Sequence, residues 1–171
     1  MRRLLVALGL TAAAVLAIAS AQAPQRNAVD WRGERTVVTR SGIRISYPRS
    51  WHALEAEGTV FVASFPISRA WTTQEHKRVP DGGVYMQIFT YGWLPPSYGF
   101  PPRPRHFELL ARDHGFYECG FGLEGYALRF RERGLAVQAM VALGDGDYAD
   151  DATAVLDRLT VTGIRPGLAR A

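Results

Sequence analysis

Two short runs, residues 36–40 and 43–47, are rich in residues that favour strands, and in the second run apolar Ile43, Ile45 and Tyr47 alternate with Arg44 and Ser46. An alternation with a period of two is typical of a strand that buries one face. Ser41-Gly42 separates the two runs and predicts a two-residue turn, so we expect a β-hairpin here. Pro48 cannot donate a backbone hydrogen bond to a neighbouring strand, and it therefore ends the second strand.

The same alternation recurs in the second half of the chain, where two runs flank Gly134. In the first of these runs, Tyr126, Leu128 and Phe130 occupy the positions that face a core, and polar or small residues lie between them. Two alternating runs around a single glycine predict a second hairpin. Between the first hairpin and the late helix we expect five strands: 59–65, 84–91, 116–119, 126–133 and 137–143.

The sequence pattern predicts helices in two segments. Pro104 suits the first turn of a helix, so we expect a short helix over 105–113 that ends before Gly115. Between 147 and 158 the apolar residues recur at helical spacing, which predicts an amphipathic helix, followed by a short strand at 159–162. Hairpin-joined strands with helices late in the chain indicate an α+β domain, in which a mostly antiparallel sheet is flanked by helices.

The chain begins with the pattern of an export signal, in which two arginines precede an apolar run from Leu4 to Ala19. The run is shorter than the ~20 residues that span a bilayer, which favours a cleaved signal over a retained anchor. Ala21-Gln22-Ala23 is the best match to the small-residue cleavage pattern, and Ala19-Ser20-Ala21 is the alternative. We expect a secreted or cell-envelope protein without a stable membrane span, divided into signal peptide (1–23), loose leader (24–35), single domain (36–163) and tail (164–171).

Charge and cysteine content narrow the classes of function. The full chain carries a net charge of +4, and removal of Arg2 and Arg3 with the signal leaves a mature chain near +2. A charge this small, without a dense basic cluster, argues against nucleic-acid binding. Cys119 is the only cysteine, so an intramolecular disulfide is excluded, and we expect a buried small apolar residue.

Residues 42–51 form a predicted strand that ends at Tyr47-Pro48 and is followed by Trp51. This stretch resembles the opening of PsbP-like domains, the family of the extrinsic photosystem II protein and its secreted bacterial relatives. Residues 149–159 resemble the closing helix and strand of the same family, whereas the middle of the chain matches only in its strand pattern. The resemblance implies an α/β/α sandwich around an antiparallel sheet and no active site. It does not imply a photosynthetic function.

The segment Gly120-Phe121-Gly122-Leu123-Glu124-Gly125 matches the GxGxxG fingerprint of dinucleotide-binding proteins. That fingerprint requires a helix directly after its third glycine, because the helix N-terminus binds the pyrophosphate. Residues 126–133 instead predict a strand. We therefore interpret the glycines as a turn that leads into a strand, and we expect no cofactor.

The acidic segment 145–151 does not match a calcium loop, because oxygen ligands are missing from two required positions. We instead expect Asp147 to cap the late helix, with Asp150 and Asp151 in its first turn. The four histidines have no metal-ligand spacing, so no metal site is predicted. Cys119 and His114 are a weak candidate for a thiol–base pair.

Two surface features are candidates for binding. One predicted strand places three arginines on its outward face, where they would meet an anionic partner. A loop over 93–104 contains three aromatic residues among five prolines, and a long loop in a compact domain is often functional. The candidate residues are Arg129, Arg131 and Arg133 on the strand and Trp93, Tyr98 and Phe100 in the loop.

These observations favour a non-enzymatic secreted domain that binds a protein or a cell-envelope component. The alternative is a binder of a small ligand or envelope glycan that uses the 93–104 loop. A thiol hydrolase based on Cys119 and His114 is the third hypothesis.

Overall fold

The computed structural model describes residues 29–73, 78–92, 99–117, 123–146 and 148–162. The predictions for the signal peptide, for the tail, and for Trp93, Tyr98 and Cys119 lie outside these residues. Within the described ranges, no helix is long and apolar enough to cross a membrane.

A small antiparallel sheet contains the first predicted hairpin. Its strands are β1 (Arg35–Val38), β2 (Ile43–Tyr47) and β9 (Leu159–Val161), in the order β1-β2-β9. The hairpin is confirmed, but its loop has three residues rather than two, because the Thr39 amide donates to the Ile43 carbonyl at 2.8 Å. Gly42 closes the loop with a φ of +84°, a conformation that glycine adopts without steric cost.

A larger antiparallel sheet contains most of the remaining strands, in the order β3-β4-β5-β8-β7-β6. These strands are β3 (His52–Ala56), β4 (Thr59–Ala63), β5 (Val84–Gly92), β6 (His114–Tyr117), β7 (Leu123–Glu132) and β8 (Leu135–Leu143). The predicted hairpin around Gly134 is confirmed as β7 and β8. The sequence reasoning missed β3, an edge strand whose residues do not alternate clearly between apolar and polar.

The late helix is present as α1 (Ala149–Leu156), with Asp150 and Asp151 in its first turn as predicted. The N-cap position is held by Tyr148, which makes no side-chain cap hydrogen bond. Asp147 itself lies outside the described residues. The Arg158 guanidinium lies 3.5 Å from the ring centre of Trp31 and so joins the end of the helix region to the leader.

The predicted helix over 105–113 is wrong. Only a single 3-10 turn forms there, at Ala111–Asp113. The preceding chain is extended, because Pro102 forms a parallel bridge with Arg131 of β7. The Phe107 amide then donates to the Asp157 carboxylate at 2.8 Å, which fixes this segment against the end of α1. Tertiary hydrogen bonds thus overrode the local signal from Pro104.

The six-stranded sheet has two unlike faces. Its first face packs against the small sheet and α1, and together they bury a continuous apolar core that includes Ile45, Met86, Phe130 and Leu156. Its second face carries a smaller cluster around Phe61, Tyr85 and Met140. The described residues therefore form an α+β domain, mostly strand, with two antiparallel sheets and one α-helix.

Candidate functional site

One end of the second sheet face is covered by the segment between β4 and β5. Trp71 and Val79 from this segment pack on the smaller apolar cluster. The Tyr85 hydroxyl donates to the Trp71 carbonyl oxygen at 2.6 Å, and burial raises the pKa of this hydroxyl above its usual range. This end of the face is therefore part of the protein interior.

The other end of the second face centres on a buried polar residue, Gln138 of β8, which is 4% exposed. Its side-chain oxygen accepts a hydrogen bond from the Tyr91 hydroxyl at 2.9 Å and another from the Arg129 Nε at 3.1 Å. Tyr91 and Arg129 are themselves exposed. The buried amide therefore holds two exposed side chains in fixed orientations, at little further entropic cost to a binding partner.

An aromatic group lies beside this hydrogen-bonded cluster. The Tyr91 ring makes edge contacts with Phe89, at a centroid distance of 5.2 Å, and with Phe100, at 5.7 Å. Tyr91 is 48% exposed, although it is a large aromatic residue. We call Phe89, Tyr91 and Phe100 the aromatic patch. Amphipathic aromatic side chains with few rotatable bonds are common at binding surfaces.

A cleft of about 420 Å³ lies between β7 and the proline-rich segment that precedes β6. We call it the proline cleft. It has an apolar side and a polar side, and Arg129 lies on the polar side, so the same arginine contacts both the cleft and Gln138. The lining residues on the apolar side include Pro101, Phe107, Leu110 and Leu128, and those on the polar side include Arg112, Asp113 and Arg129.

One side of the cleft is formed by the proline-rich segment 101–110, which we call the wall, and Arg103 anchors this segment. The Arg103 guanidinium donates to the carbonyl oxygens of Leu156 and Asp157, at 3.4 and 3.0 Å, where α1 ends. It also lies 3.5 Å from the Glu132 carboxylate and 5.1 Å from the ring centre of Phe107. Because one side chain joins the wall to a helix end and to β7, we infer that the wall keeps its position when the cleft is empty.

The structure separates the predicted arginines. Arg129 lies in the proline cleft, whereas Arg131 is half-buried and its backbone is bonded to the wall. Arg133 is not on the strand face as predicted, because β7 ends at Glu132 and Arg133 occupies the hairpin turn with a φ of +49°. The turn requires two residues with positive φ, and Arg133 supplies the first of them. Among the loop aromatics, Phe100 contacts Tyr91.

Sequence reasoning missed Tyr91 and Gln138. The available signal was that Gln138 is the only polar residue in the apolar run of β8. A lone amide in a buried strand needs hydrogen-bond partners, which indicates a polar cluster on that face. The sequence does not show that the partners come from β5 and β7.

Three further features of the sequence bear on chemistry: the glycine-rich segment, His114 and the possible metal ligands. Gly125 lies in β7, so a strand and not a helix follows the third glycine, as predicted. The His114 ring contacts Tyr126, with its Nδ1 3.8 Å from Glu124. Among the described residues, no group of three or more histidine, cysteine, aspartate or glutamate side chains is arranged to hold a metal ion.

No protein-family model and no curated protein matches this chain. A crystal structure of a protein from Bacteroides thetaiotaomicron VPI-5482 is similar with a TM-score of 0.38 and 13% identity, over 78% of this chain and 49% of that chain. This chain thus spans about half the length of that protein.

Proposed function

We propose that this chain is a non-enzymatic binding domain that contacts a protein or cell-envelope component through the surface around Arg129. One observation carries the proposal: a buried amide, Gln138, orients the exposed Tyr91 and Arg129 side by side at the mouth of a cleft. Arginine and tyrosine are enriched among the residues that dominate binding energy at interfaces.

The residues that line the cleft support binding over catalysis. In the described part of the chain they comprise prolines, apolar side chains, two arginines, two carboxylates and His106, and these described lining residues include no serine, threonine, cysteine or lysine to act as nucleophile. The His106 Nδ1 lies 3.1 Å from the Asp157 carboxylate, and that same carboxylate accepts the Phe107 amide, so the pair supports the cleft wall. The thiol-hydrolase hypothesis depends on Cys119, outside the described residues.

We also propose that the chain is exported through the signal at residues 1–23, and that its domain is a PsbP-like α/β/α sandwich. The support for the fold is a central antiparallel sheet with α1 against one face, together with the Tyr47-Pro48 strand end and the buried Trp51. N-terminal sequencing of the protein isolated from the medium or envelope tests export. An intact Met1 in a membrane fraction would contradict signal cleavage.

A sedimentation assay tests the binding surface. Fluorescently labelled protein is mixed with envelope fragments of its host, and the bound fraction is measured as a function of fragment concentration. We expect Tyr91→Ala and Arg129→Glu each to weaken binding by about tenfold or more, as for residues at the centre of an interface. Phe116→Ala is the matched control, since Phe116 is 57% exposed and projects from the opposite face of the sheet. Equal binding by all four proteins would disprove the proposal.

The volume of the proline cleft favours a second candidate, a binder of a small ligand such as an envelope glycan, because about 420 Å³ lies within the range of small-molecule sites. Titration with soluble glycan fragments, monitored by the backbone amide signals of residues 101–113 and 127–129, tests this candidate. Changes in amide chemical shift confined to those residues would favour a small-ligand site over an interface with a protein partner.

A further inference from the structure

The outer edge of β7 is covered in two separate places. Strand β6 pairs with the first part of β7, from Leu123 to Tyr126. The proline-rich wall pairs with β7 again at Arg131, whose amide donates to the Pro101 carbonyl and whose carbonyl accepts from the Arg103 amide. Between these two contacts, residues 127–130 of β7 form the floor of a gap in the sheet edge.

The direction of the backbone groups in this gap follows from the pairing at Arg131. Residues two apart on a strand point their N–H and C=O groups to the same side. Because Arg131 directs both groups away from β8, Arg129 does so too. Among the described residues, neither outward group of Arg129 has a backbone partner, whereas those of Arg131 are both bonded. Arg129 also lines the proline cleft, so the unpaired groups face the cleft.

An unpaired N–H and C=O on a strand edge form a template for another extended chain. The wall shows that this edge accepts such pairing, because Pro101 and Arg103 already bond to it one step further along. The gap from residue 127 to residue 131 spans roughly 13 Å at ~3.3 Å per residue, which is enough for two or three residues of an added strand.

The two sides of the cleft suit the alternating side chains of an added strand. One side chain would enter the apolar side, against Phe107, Leu110 and Leu128. Its neighbour would point to the opposite side, where Arg112, Arg129 and Asp113 together carry a net charge of +1, since the second carboxylate of the cleft, Glu108, does not line this side. An apolar residue followed by an acidic residue is complementary to this arrangement.

We propose that the proline cleft binds an extended segment of a partner protein, which pairs its backbone with Arg129 and presents an apolar and then an acidic side chain. This inference rests on the proposed binding function, and it commits that function to a protein partner that adds a strand to β7.

Amide hydrogen exchange, followed by NMR, tests the gap in the free full-length protein. We expect the Arg129 amide to exchange at least about tenfold faster than the amides of Phe130 and Arg131, which are hydrogen-bonded. Exchange of Arg129 as slow as that of Arg131 would overturn the inference, because another part of this chain would then fill the gap.

A peptide titration tests the occupant. The probe is acetyl-Ala-Leu-Glu-Ala amide, and its control is the same peptide with an N-methyl group on the glutamate nitrogen. We expect the probe to shift the Arg129 amide signal and to slow its exchange, and the control to bind about tenfold more weakly because it loses a backbone hydrogen bond. Equal shifts with both peptides would overturn backbone pairing. A replacement of glutamate by lysine in the probe should also weaken binding.

Two variants of the protein give an independent test. Arg129→Ala removes the side chain and keeps the outward N–H, whereas Arg129→Pro also removes the N–H, and proline is tolerated where an edge N–H points outward. We expect the proline variant to bind the probe at least about fivefold more weakly than the alanine variant. Should the proline variant not fold, the N-methyl peptide decides. Loss of envelope binding in Tyr91→Ala without any binding of the probe would disprove this inference and leave the proposed function standing.

Discussion

The two faces of the six-stranded sheet are built from the same strands but have different surroundings. On the first face, Met86, Phe130 and Val137 are almost entirely buried beneath the small sheet and α1. On the second face, at the end away from Trp71, Tyr91 and Arg129 are exposed around a buried amide. Adjacent residues of one strand can therefore differ completely in exposure: on β7, Phe130 is buried in the core and Arg129 is exposed to solvent.

Because of this difference, we expect the first face to determine the stability of the fold and the exposed end of the second face to determine binding. Burial of apolar surface on the first face contributes most of the folding free energy, because the hydrophobic contribution scales with the area removed from water. The exposed end of the second face contributes little to stability, and its orientation is set by a few hydrogen bonds. Mutations on the two faces should therefore affect different measurements.

The largest expected effect breaks the packing of the first face. Phe130 is 1% exposed and its ring makes an edge contact with Phe107 at 5.2 Å, so Phe130→Ala leaves a cavity in the core. We expect a loss of about 3–5 kcal/mol in the free energy of unfolding, measured by urea denaturation. Tyr91→Ala, on the second face, should lower the free energy of unfolding by only about 1 kcal/mol. Similar losses in the two variants would contradict the comparison of the faces.

A second prediction concerns the glycine that ends the GxGxxG segment. A Cβ added at Gly125 would overlap the backbone carbonyl oxygen of Val141 on β8, so Gly125→Ala should destabilise by about 2–3 kcal/mol in the same assay. Gly134→Asn is the control, because the turn position has no neighbour within 4 Å and asparagine tolerates its positive φ. A neutral Gly125→Ala would show that the glycine is not required for close strand packing.

The smallest effect lies at the covered end of the second face and depends on pH. Burial raises the pKa of Tyr85 in the folded protein above that in the unfolded chain, so at high pH the unfolded state loses this proton first. The contribution of the Tyr85 hydroxyl to the free energy of unfolding is therefore fully present below about pH 10, and it declines as the pH rises further.

Tyr85→Phe tests this sign. The variant should lose about 1 kcal/mol at neutral pH, because the Trp71 carbonyl loses its donor, and it should decline less than the parent protein above about pH 10. Urea midpoints at several pH values measure both effects. Parallel declines in the two proteins would exclude Tyr85 as the titrating group.

Much of the fold followed from alternation alone. The hairpin before Pro48 and the hairpin around Gly134 were predicted from period-two patterns, since a strand with one buried face must alternate. The edge strand β3 and the extended segment 101–110 were not predictable in this way. Neither carries a clear period-two pattern of its own. Strand β3 is held by pairing with β4, which follows it directly across a two-residue turn, whereas segment 101–110 is hydrogen-bonded to β7 and to Asp157, which are distant in sequence.

Within the candidate site, Arg129 and Phe100 could be singled out from the sequence, but their relation to each other could not. The aromatic patch and the proline cleft exist because β5, β7 and the proline-rich segment meet at one end of the sheet, and strand order is a property of the tertiary structure. Gln138 was a visible anomaly, a polar residue in an apolar run, whose partners only the strand register assigns.

Local sequence patterns are enough to specify which residues alternate, where the chain turns, and that strands outnumber helices. These are local properties, set by side-chain periodicity and by the conformational freedom of glycine and proline. Tertiary packing set which sheet face is covered, that Arg133 turns away from the other arginines, and that the outward backbone groups of Arg129 have no backbone partner in the described part of the chain. Each of these depends on which distant segments pack or pair together, and residue spacing along the chain does not encode that choice.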